Sequence, residues 1–385
     1  MNLIDAIAAR TEEMTALRRD FHAHPEIGFQ EVRTAGIVAD LLESWGVEVH
    51  RGIGKTGVVG VIEGRGPGRS IGLRADMDAL PMEEETNLPW RSGTPGVFHG
   101  CGHDGHTTML LGAVRHLAET RDFDGRVIAV FQPAEEGLGG ARAMIADGLF
   151  ARWPVEEIYG LHNSPYTAPG VVTIKPGTAM AGADFFDIKL RGRGAHGASP
   201  QHSADPIVAG AALVSALQSI VSRNAPPSEA SVLSVTQFHS GAAYNVIPGD
   251  AVISGTMRYF NDVWRDRMRA RMTAIAKGVA QSFEMEAEVD IRHIFSTLEN
   301  DVALSAVMAD VARGVVGDDL VRITDEAVTG SEDFADMLRV APGCYFTVGH
   351  GGDVPLHNPG FLFDDAVLPL GATLLARIAL ARLAA

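Results

Sequence analysis

The chain has 385 residues, which is long enough for two domains or for one large domain with an insertion. Its 46% hydrophobic and 21% charged residues are the balance of an ordinary globular protein, and a net charge of −16 disfavours nucleic acids and anionic membranes as partners. We expect neither a secretory signal nor a membrane span, and the two cysteines make a disulfide framework unexpected. These features predict a cytoplasmic protein.

The first part of the chain alternates helical and strand patterns. Apolar spacing predicts a helix over 3–20 and a second over 34–45, which Gly46 ends as a C-cap. Buried strands followed by polar side chains are typical of an open α/β sheet. We therefore predict an α/β catalytic domain with a mixed, mostly parallel sheet flanked by helices. Its further elements are strands over 58–62, 70–74, 126–131 and 157–161 and a helix over 107–117.

The pattern changes near Gly182. The predicted order from there is strand, helix, strand, strand, helix, strand, and this βαββαβ order indicates a ferredoxin-like lid domain. A later helix, a strand and the terminal helix return the chain to the first domain. We thus predict domains over 1–181, 182–293 and 294–385. The predicted lid elements lie at 185–190, 206–222, 231–238, 251–259, 262–281 and 287–293. The helix and the strand that return to the first domain lie at 302–314 and 344–348.

Four short motifs carry groups that bind divalent metal ions. They are His-Gly-Cys-Gly-His-Asp-Gly-His at 99–106, Pro-Ala-Glu-Glu at 133–136, Gly-Leu-His at 160–162 and Leu-His-Asn-Pro at 356–359. Thiolate, imidazole and carboxylate groups hold zinc-like ions. The set predicts a hydrolytic site with two metal ions.

Within the first motif, Cys101 and His103 are the predicted ligands, because the glycines around them allow a tight turn on which both side chains converge. His106 is a further possible ligand, although its place at the start of a helix favours packing or a hydrogen bond. The same alternatives apply to His99. Asp104 is expected to support a ligand or to cap the following helix.

The remaining motifs divide metal binding from proton transfer. Glu135 and Glu136 end a buried strand, so one can bind metal while the other faces the reacting water. His162 follows a strand and His357 lies in a turn. Each alone would be interpreted as a structural histidine, and we predict them as metal ligands because they occur together with the other motifs. Asp76 and Asp78, at the end of another strand, are expected to orient a ligand histidine, with metal binding by the two carboxylates as the alternative, and Asp78 is counted with the catalytic residues.

Three lid residues complete the candidate site. His196 lies in a glycine-rich turn, Asn245 precedes another turn, and Arg258 lies on a predicted strand. Donors of these kinds can hold a developing oxyanion and an anionic group of a substrate.

The chain resembles the M20 metallopeptidase family, in the amidohydrolase branch with hippurate hydrolases, N-acyl-amino-acid amidohydrolases and plant auxin-conjugate hydrolases. It departs from the wider family at Asp76-Met77-Asp78, where a His-x-Asp motif is usual, and that departure is typical of this branch. Its loop also reads His-Gly-Cys where His-Ala-Cys is expected. The resemblance runs nearly end to end and rests on Arg18–Glu26, Arg74–Pro81, the Cys/His loop, Pro133–Glu136, Asn245–Pro248 and Gly330–Phe334.

The resemblance implies a role for each site residue. Cys101 would bridge two divalent ions, with Glu136 and His357 completing one site and His103 and His162 the other. Glu135 would act as general base and acid. In the lid, His196 would stabilise the oxyanion, in its own chain or across a dimer, and Asn245 and Arg258 would hold the substrate carboxylate. Mn²⁺ and Zn²⁺ are the expected metals, with Ni²⁺ and Co²⁺ as alternatives.

These roles predict a dinuclear metal-dependent amidohydrolase that cleaves N-acyl amino acids, such as hippurate-like or N-acetyl substrates, to a carboxylic acid and a free amino acid. A dipeptidase or carboxypeptidase of the same family is the alternative. A protein that binds its ligand in a metal-dependent way but has no catalytic turnover is a third alternative. The expected partners are the small-molecule substrate and a second copy of the chain, joined through the lid domain.

Overall fold

The computed structural model describes residues 3–384 and divides into two compact units. The first comprises Met1–Ala179, Glu299–Ala327 and Asp333–Ala385, and the second comprises Met180–Leu298 and Val328–Glu332. The short segment 328–332 groups with the second unit, since the Ala181 amide donates to the carbonyls of Val328 and Gly330.

Both units contain helices and strands. The helices are α1 (Leu3–Ala8), α2 (Thr11–Ala23), α3 (Val32–Ser44), α4 (His103–Thr120), α5 (Gly140–Ala146), α6 (Leu149–Arg152), α7 (Pro206–Leu217), α8 (Asp262–Ser282), α9 (Val302–Val316), α10 (Phe334–Leu338) and α11 (Leu368–Arg382). The strands are β1 (Glu48–Ile53), β2 (Gly57–Glu63), β3 (Ser70–Asp76), β4 (Arg126–Gln132), β5 (Glu157–Ser164), β6 (Val172–Ile174), β7 (Gly177–Met180), β8 (Gly182–Arg191), β9 (Ala195–His196), β10 (Ser231–His239), β11 (Val246–Ile247), β12 (Asp250–Tyr259), β13 (Glu286–Phe295), β14 (Leu298–Asn300), β15 (Val321–Ile323) and β16 (Gly343–Gly349).

An eight-stranded sheet in the order β1-β2-β4-β3-β5-β16-β6-β15 organises the first unit. Its four central strands, β4, β3, β5 and β16, run parallel. Strands β3 and β4 are buried over almost their whole length, as expected where helices cover both faces of a sheet. Parallel strands place their carboxyl ends on one edge, and the segments with the candidate site residues follow there.

Helix α4 connects that edge of the sheet to the hydrophobic core. It packs against α2 and α11, and its apolar side chains Met109, Leu110, Val114 and Leu117 are completely buried. The helix begins at His103, four residues earlier than the predicted start at residue 107. The metal-binding motif therefore belongs partly to a buried helix, which fixes the backbone of His103.

The predicted helix over 3–20 is wrong in its continuity, because two helices, α1 and α2, occupy this stretch. The Thr11 hydroxyl donates to the Ala8 carbonyl at 2.7 Å. Threonine side chains compete in this way with the backbone hydrogen bonds of a helix, which gives a local reason for the interruption.

The second unit has the predicted βαββαβ order, formed by β8, α7, β10, β12, α8 and β13. Its sheet order β10-β12-β8-β13 is antiparallel throughout and has the ferredoxin-like arrangement. A separate two-stranded ribbon pairs β9 with β11. The predicted α/β fold with an inserted ferredoxin-like region is thus confirmed.

One apolar segment of this unit consists of α7 and a separate helical turn that follows it at Ile220–Asn224. Residues 206–224 form a helical stretch that by length and composition alone could cross a membrane. Such a single stretch is weak evidence, because core helices of globular proteins pass the same test. In this structure Ala209, Leu213 and Leu217 are buried in a cluster with side chains of the four-stranded sheet.

Candidate metal centre

A glycine holds the Cys101–His103 loop close to strand β5. Gly102 has φ +89°, a conformation that costs glycine little and other residues more. A side chain there would also collide with Asn163, because a Cβ atom on Gly102 would lie 2.3 Å from Asn163 Nδ2. That Nδ2 donates to the Cys101 carbonyl at 2.6 Å. The close approach fixes the backbone between Cys101 and His103.

A tight turn directs the two adjacent glutamates to one region. Ala134 has the left-handed φ of +55°, and its carbonyl accepts a hydrogen bond from the Gly140 amide at 3.0 Å. The Glu136 amide donates to Asp78 Oδ2 at 3.0 Å. Because the chain is not extended here, the side chains of Glu135 and Glu136 need not point in opposite directions.

The predicted ligands form two groups that share Cys101. The first group contains Cys101, His103 and His162, and the second contains Cys101, Glu136 and His357; within each group the potential ligand atoms all lie within 4.8 Å of one another. Glu135 forms a further group with His103 and Glu136, whose potential ligand atoms also lie within 4.8 Å of one another. Cys101 Sγ is 3.3 Å from His162 Nε2.

Two buried atoms at the centre of these groups support metal binding. His103 Nε2 and Glu136 Oε1 have no hydrogen-bond partner, although both are shielded from solvent. His103 Nε2 is 3.8 Å from Asp76 Oδ2 and 4.0 Å from Glu136 Oε1, too far for a hydrogen bond. His357 Nε2 lies 3.2 Å from the same glutamate oxygen without hydrogen-bond geometry. Buried polar atoms rarely lack partners, and thiol, imidazole and carboxylate donors suit two divalent ions.

The tautomer of His162 leaves one ring nitrogen available as a ligand. Its Nδ1 lies 2.6 Å from the Asn163 carbonyl, which can only accept, so Nδ1 carries the proton. Nε2 is then the unprotonated atom that faces Cys101. Burial holds the pKa of His162 well below its usual value, which keeps the ring neutral.

His357 is held in a strained conformation beside the Cys101 loop. It has φ +61°, which is uncommon for residues other than glycine. Its amide donates to the Gly100 carbonyl at 2.9 Å, so the backbone joins two motifs that are about 250 residues apart in sequence. Non-glycine residues in this conformation are often found at functional sites.

His106 lies with Asp76 and His103 in a further group that could hold a metal ion, but its ring nitrogens already have partners in the protein. Its Nδ1 lies 2.6 Å from Asp76 Oδ1, and its Nε2 accepts a hydrogen bond from the Asn163 amide at 2.9 Å. Both nitrogens are therefore used within the protein. His103 and Arg74, acting against the effect of burial, hold the pKa of Asp76 well below its usual value. His106 supports the site through hydrogen bonds.

Asp104 and His99 lie outside the two ligand groups. Asp104 Oδ2 is 2.7 Å from His22 Nδ1 and 3.3 Å from Arg18 Nη1, which attaches the start of α4 to α2. His99 is buried, neither ring nitrogen has a hydrogen-bond partner, and burial lowers its pKa to about 4.

Several supporting residues were not identified from the sequence. Asn163 accepts on Oδ1 a hydrogen bond from His350 Nε2 at 2.9 Å, in addition to holding the Cys101 carbonyl. Gln132 accepts from Arg74 at 2.8 Å and donates to Asp333 at 2.6 Å. Their place in the sequence is the one feature that could have indicated them, because Asn163 directly follows His162 and Gln132 directly precedes Pro133.

The three predicted lid residues lie in the second unit. His196 pairs with Val246 in the β9–β11 ribbon, and the Gly197 amide donates to the Asn245 carbonyl at 2.7 Å, so His196 and Asn245 are close together. Arg258 lies on β12 in the main sheet of that unit. Their part in a catalytic site stays a prediction.

The comparison with known proteins agrees with the motifs. A family model described as peptidase family M20/M25/M40 matches residues 72–381. The hippurate hydrolase of Campylobacter jejuni is 40% identical over 381 residues, which cover 99% of each chain. The N-acetyl-L-cysteine deacetylase of Bacillus subtilis is 37% identical over 359 residues, which cover 93% of this chain and 85% of its own.

A solved structure supports the same relationship. The Bacillus subtilis YXEP protein, described as a dinuclear metal-binding peptidase from the M20 family, matches with a TM-score of 0.85 at 33% identity. The match covers 98% of this chain and 99% of that one. The family predicted from the motifs is confirmed: the chain belongs to peptidase family M20/M25/M40 and is an enzyme that acts on amides.

Proposed function

We propose that this enzyme hydrolyses the amide bond of N-acyl amino acids and releases a carboxylic acid and a free amino acid. The observation that carries the proposal is the pair of ligand groups sharing Cys101, with Glu135 within 4.8 Å of His103 and Glu136. The names of two relatives, a hippurate hydrolase and an N-acetyl-L-cysteine deacetylase, support this substrate class.

Cys101, His103, Glu136, His162 and His357 would hold two divalent ions, with Cys101 common to both. The chemistry supplied by such ions is Lewis acidity toward the scissile carbonyl and toward a water molecule. Mn²⁺ and Zn²⁺ fit this mixture of sulfur, nitrogen and oxygen donors, as do Ni²⁺ and Co²⁺.

Glu135 is the residue to which we assign proton transfer. Its side chain is almost fully buried, and its carboxylate lies within 4.8 Å of the potential ligand atoms of His103 and Glu136. A carboxylate there can take the proton of the attacking water and return it to the leaving amine. Asp78 supports the arrangement from one side, since it contacts both the His103 ring and the Glu136 amide.

The test of this function is turnover by the metal-reconstituted protein on N-acetyl, N-benzoyl and indole-acyl amino acids beside a set of dipeptides. Metal-dependent hydrolysis of the acyl amino acids is the expected result, and the preferred acyl group would describe the substrate pocket. Faster cleavage of the dipeptides would instead favour the dipeptidase or carboxypeptidase alternative. Protein that holds two metals but cleaves no member of the panel would contradict the proposal.

Arg258 has the environment expected of a residue that binds an anionic group. Its guanidinium is partly buried, which lowers its pKa, and its Nη1 donates to the Ser331 hydroxyl at 3.1 Å. Among residues 3–384 no carboxylate lies within ion-pair distance of it. A partly buried cation without a carboxylate partner gains from binding an anion. We therefore assign the substrate carboxylate to Arg258, with Asn245 as a second donor.

Replacing Arg258 with alanine should weaken binding of carboxylate substrates more than it slows their cleavage. We expect KM to rise about 30- to 100-fold, which corresponds to a charge-assisted hydrogen bond of about 2–3 kcal/mol, with kcat changed less. The matched control is the carboxamide form of the same substrate. The variant and the wild type should differ little on that compound, and an equal loss on both compounds would argue against the assignment.

We also propose that His196 stabilises the oxyanion and that two copies of the chain associate through the second unit. Within residues 3–384, strand β10 is at the edge of its sheet and pairs with β12 alone, and it carries the partly exposed apolar side chains Val232 and Phe238. Edges of this kind can pair with a second chain. Sedimentation equilibrium should therefore give a dimer at micromolar concentration. The role of His196 is tested separately: full turnover by a His196→Ala variant would contradict stabilisation of the oxyanion by this residue.

A further inference from the structure

Glu31 is a completely buried carboxyl group that contacts the turn before the two site glutamates. It lies at the start of α3, outside all of the motifs described above. Its Oε1 accepts a hydrogen bond from the Ala134 amide at 2.8 Å, and its Oε2 accepts one from the Thr56 hydroxyl at 2.5 Å. Both carboxylate oxygens therefore have a partner, and one of these partners is the backbone of the Pro-Ala-Glu-Glu turn.

That turn needs external support because of the conformation of Ala134. Its φ of +55° is unfavourable for a residue with a Cβ atom. Gly28 provides the space for it, since a Cβ atom on Gly28 would lie 2.9 Å from both Cα and Cβ of Ala134. A strained residue persists only where its surroundings hold it, and the Ala134 amide is held by Glu31.

The hydrogen bonds to the turn come from two sides. Glu31 accepts from the amide of Ala134, and Asp78 accepts from the amide of Glu136. Glu135 lies between these two anchored amides, so they determine the direction of its side chain. A carboxyl that accepts proton transfers must be placed within fractions of an ångström, and small displacements at a catalytic group reduce the rate strongly.

We propose that Glu31 is a positioning residue for the reaction, which holds the strained Ala134 backbone so that Glu135 points into the candidate metal centre. The inference rests on the proposed function, because it takes Glu135 as the proton-transfer group. Glu31 itself contacts the turn and not the substrate, so it acts through Glu135.

The structure suggests which replacements separate positioning from charge. Glutamine keeps an acceptor for the Ala134 amide and gains a donor for the Thr56 hydroxyl. Burial raises the pKa of Glu31 to about 7, so an uncharged side chain is a fair substitute near neutral pH. Alanine and leucine both remove the acceptor, and leucine also fills the space that alanine leaves empty.

Glu26 provides a matched control for the start of α3. Its two carboxylate oxygens accept from the amides of Arg33 and Thr34 at 2.9 and 2.8 Å, so it holds the same helix without contacting the turn. If Glu31 only supported α3, the Glu26→Ala variant would lose as much activity as the Glu31→Ala variant.

The experiment compares kcat and KM, metal content and unfolding of the metal-loaded variants. We expect Glu31→Ala and Glu31→Leu to lower kcat about 10- to 100-fold with KM nearly unchanged, as displaced catalytic groups do. The kcat of Glu31→Gln should stay within about threefold of the wild-type value. Glu26→Ala should lower the stability of the fold but leave kcat nearly unchanged. Because leucine keeps the core filled, it preserves the test if the alanine variant unfolds.

A second replacement examines the strain directly. Glycine has no Cβ penalty at φ +55°, so Ala134→Gly should maintain the turn without the hydrogen bond that the backbone amide donates to Glu31. We expect the kcat of the Glu31→Ala/Ala134→Gly double variant to be about tenfold higher than that of Glu31→Ala. Such non-additivity is expected for two residues in direct contact. The absence of recovery would overturn the inference, as would a kcat of Glu31→Ala or Glu31→Leu close to that of the wild type.

The Glu135→Gln variant, measured in the same series, separates the two levels of the argument. If Glu135→Gln remains active, the proposed role of Glu135 fails and the positioning role fails with it. If Glu135→Gln is inactive while Glu31→Leu keeps full kcat, only the role of Glu31 is wrong.

Discussion

Replacing Glu135 with glutamine should abolish nearly all turnover while the protein keeps its metals. Glutamine has almost the same size and can remain in the buried position, but it cannot take a proton from water. General base catalysis contributes about 10²- to 10⁴-fold, so we expect kcat to fall by at least that factor with little change in KM. Steady-state kinetics on the preferred N-acyl amino acid would measure the loss.

The neighbouring glutamate is the control for this prediction. Glu136 belongs to the ligand group with Cys101 and His357, whereas Glu135 does not belong to either group that shares Cys101. A Glu136→Gln variant should therefore lose metal as well as activity, and metal analysis distinguishes the two effects. Turnover by Glu135→Gln above about a tenth of the wild-type rate would be incompatible with general base catalysis by this residue.

The order of the elements could be predicted from the sequence because their patterns are local. Strands β3, β4 and β5 each contain a short apolar run next to polar residues, a pattern that is consistent with a buried strand. The βαββαβ order of the second unit followed from the same kind of pattern. The short strands β6, β7 and β15 escaped prediction, because three or four residues give no periodicity and depend on their neighbours in the sheet.

The candidate ligands could be predicted for a different reason, since cysteine, histidine and paired glutamates are chemically conspicuous. Residues that support them are not. Glu31 looks like an ordinary charge at a helix start, yet it is completely buried, and its contact with Ala134 joins positions about 100 residues apart. Contacts at such separations are set by the fold, and a single sequence contains no local sign of them.

Removing the Cys101 thiol should weaken binding of both metal ions, because Cys101 is the only residue common to the two groups of predicted ligands. His162 and His357 each belong to one of those groups. We expect Cys101→Ala to lose about 100-fold or more in affinity at both sites, while His162→Ala and His357→Ala each affect one site chiefly. Metal analysis after dialysis against a weak chelator would give the equivalents retained by each variant.

The second cysteine, Cys344, is the control for the loss of a buried thiol. Cys344 is buried in β16, and burial raises its pKa to about 12, so it stays a protonated thiol outside the ligand groups. Cys344→Ala should keep both metals, which separates the loss of a ligand from the loss of a buried sulfur. Bound metal also stabilises the folded state, so added metal should raise the Tm of the wild type and of Cys344→Ala but hardly that of Cys101→Ala. Two tightly held equivalents in Cys101→Ala would show that the thiol does not bridge the ions, and the two groups would then have to be treated as independent sites.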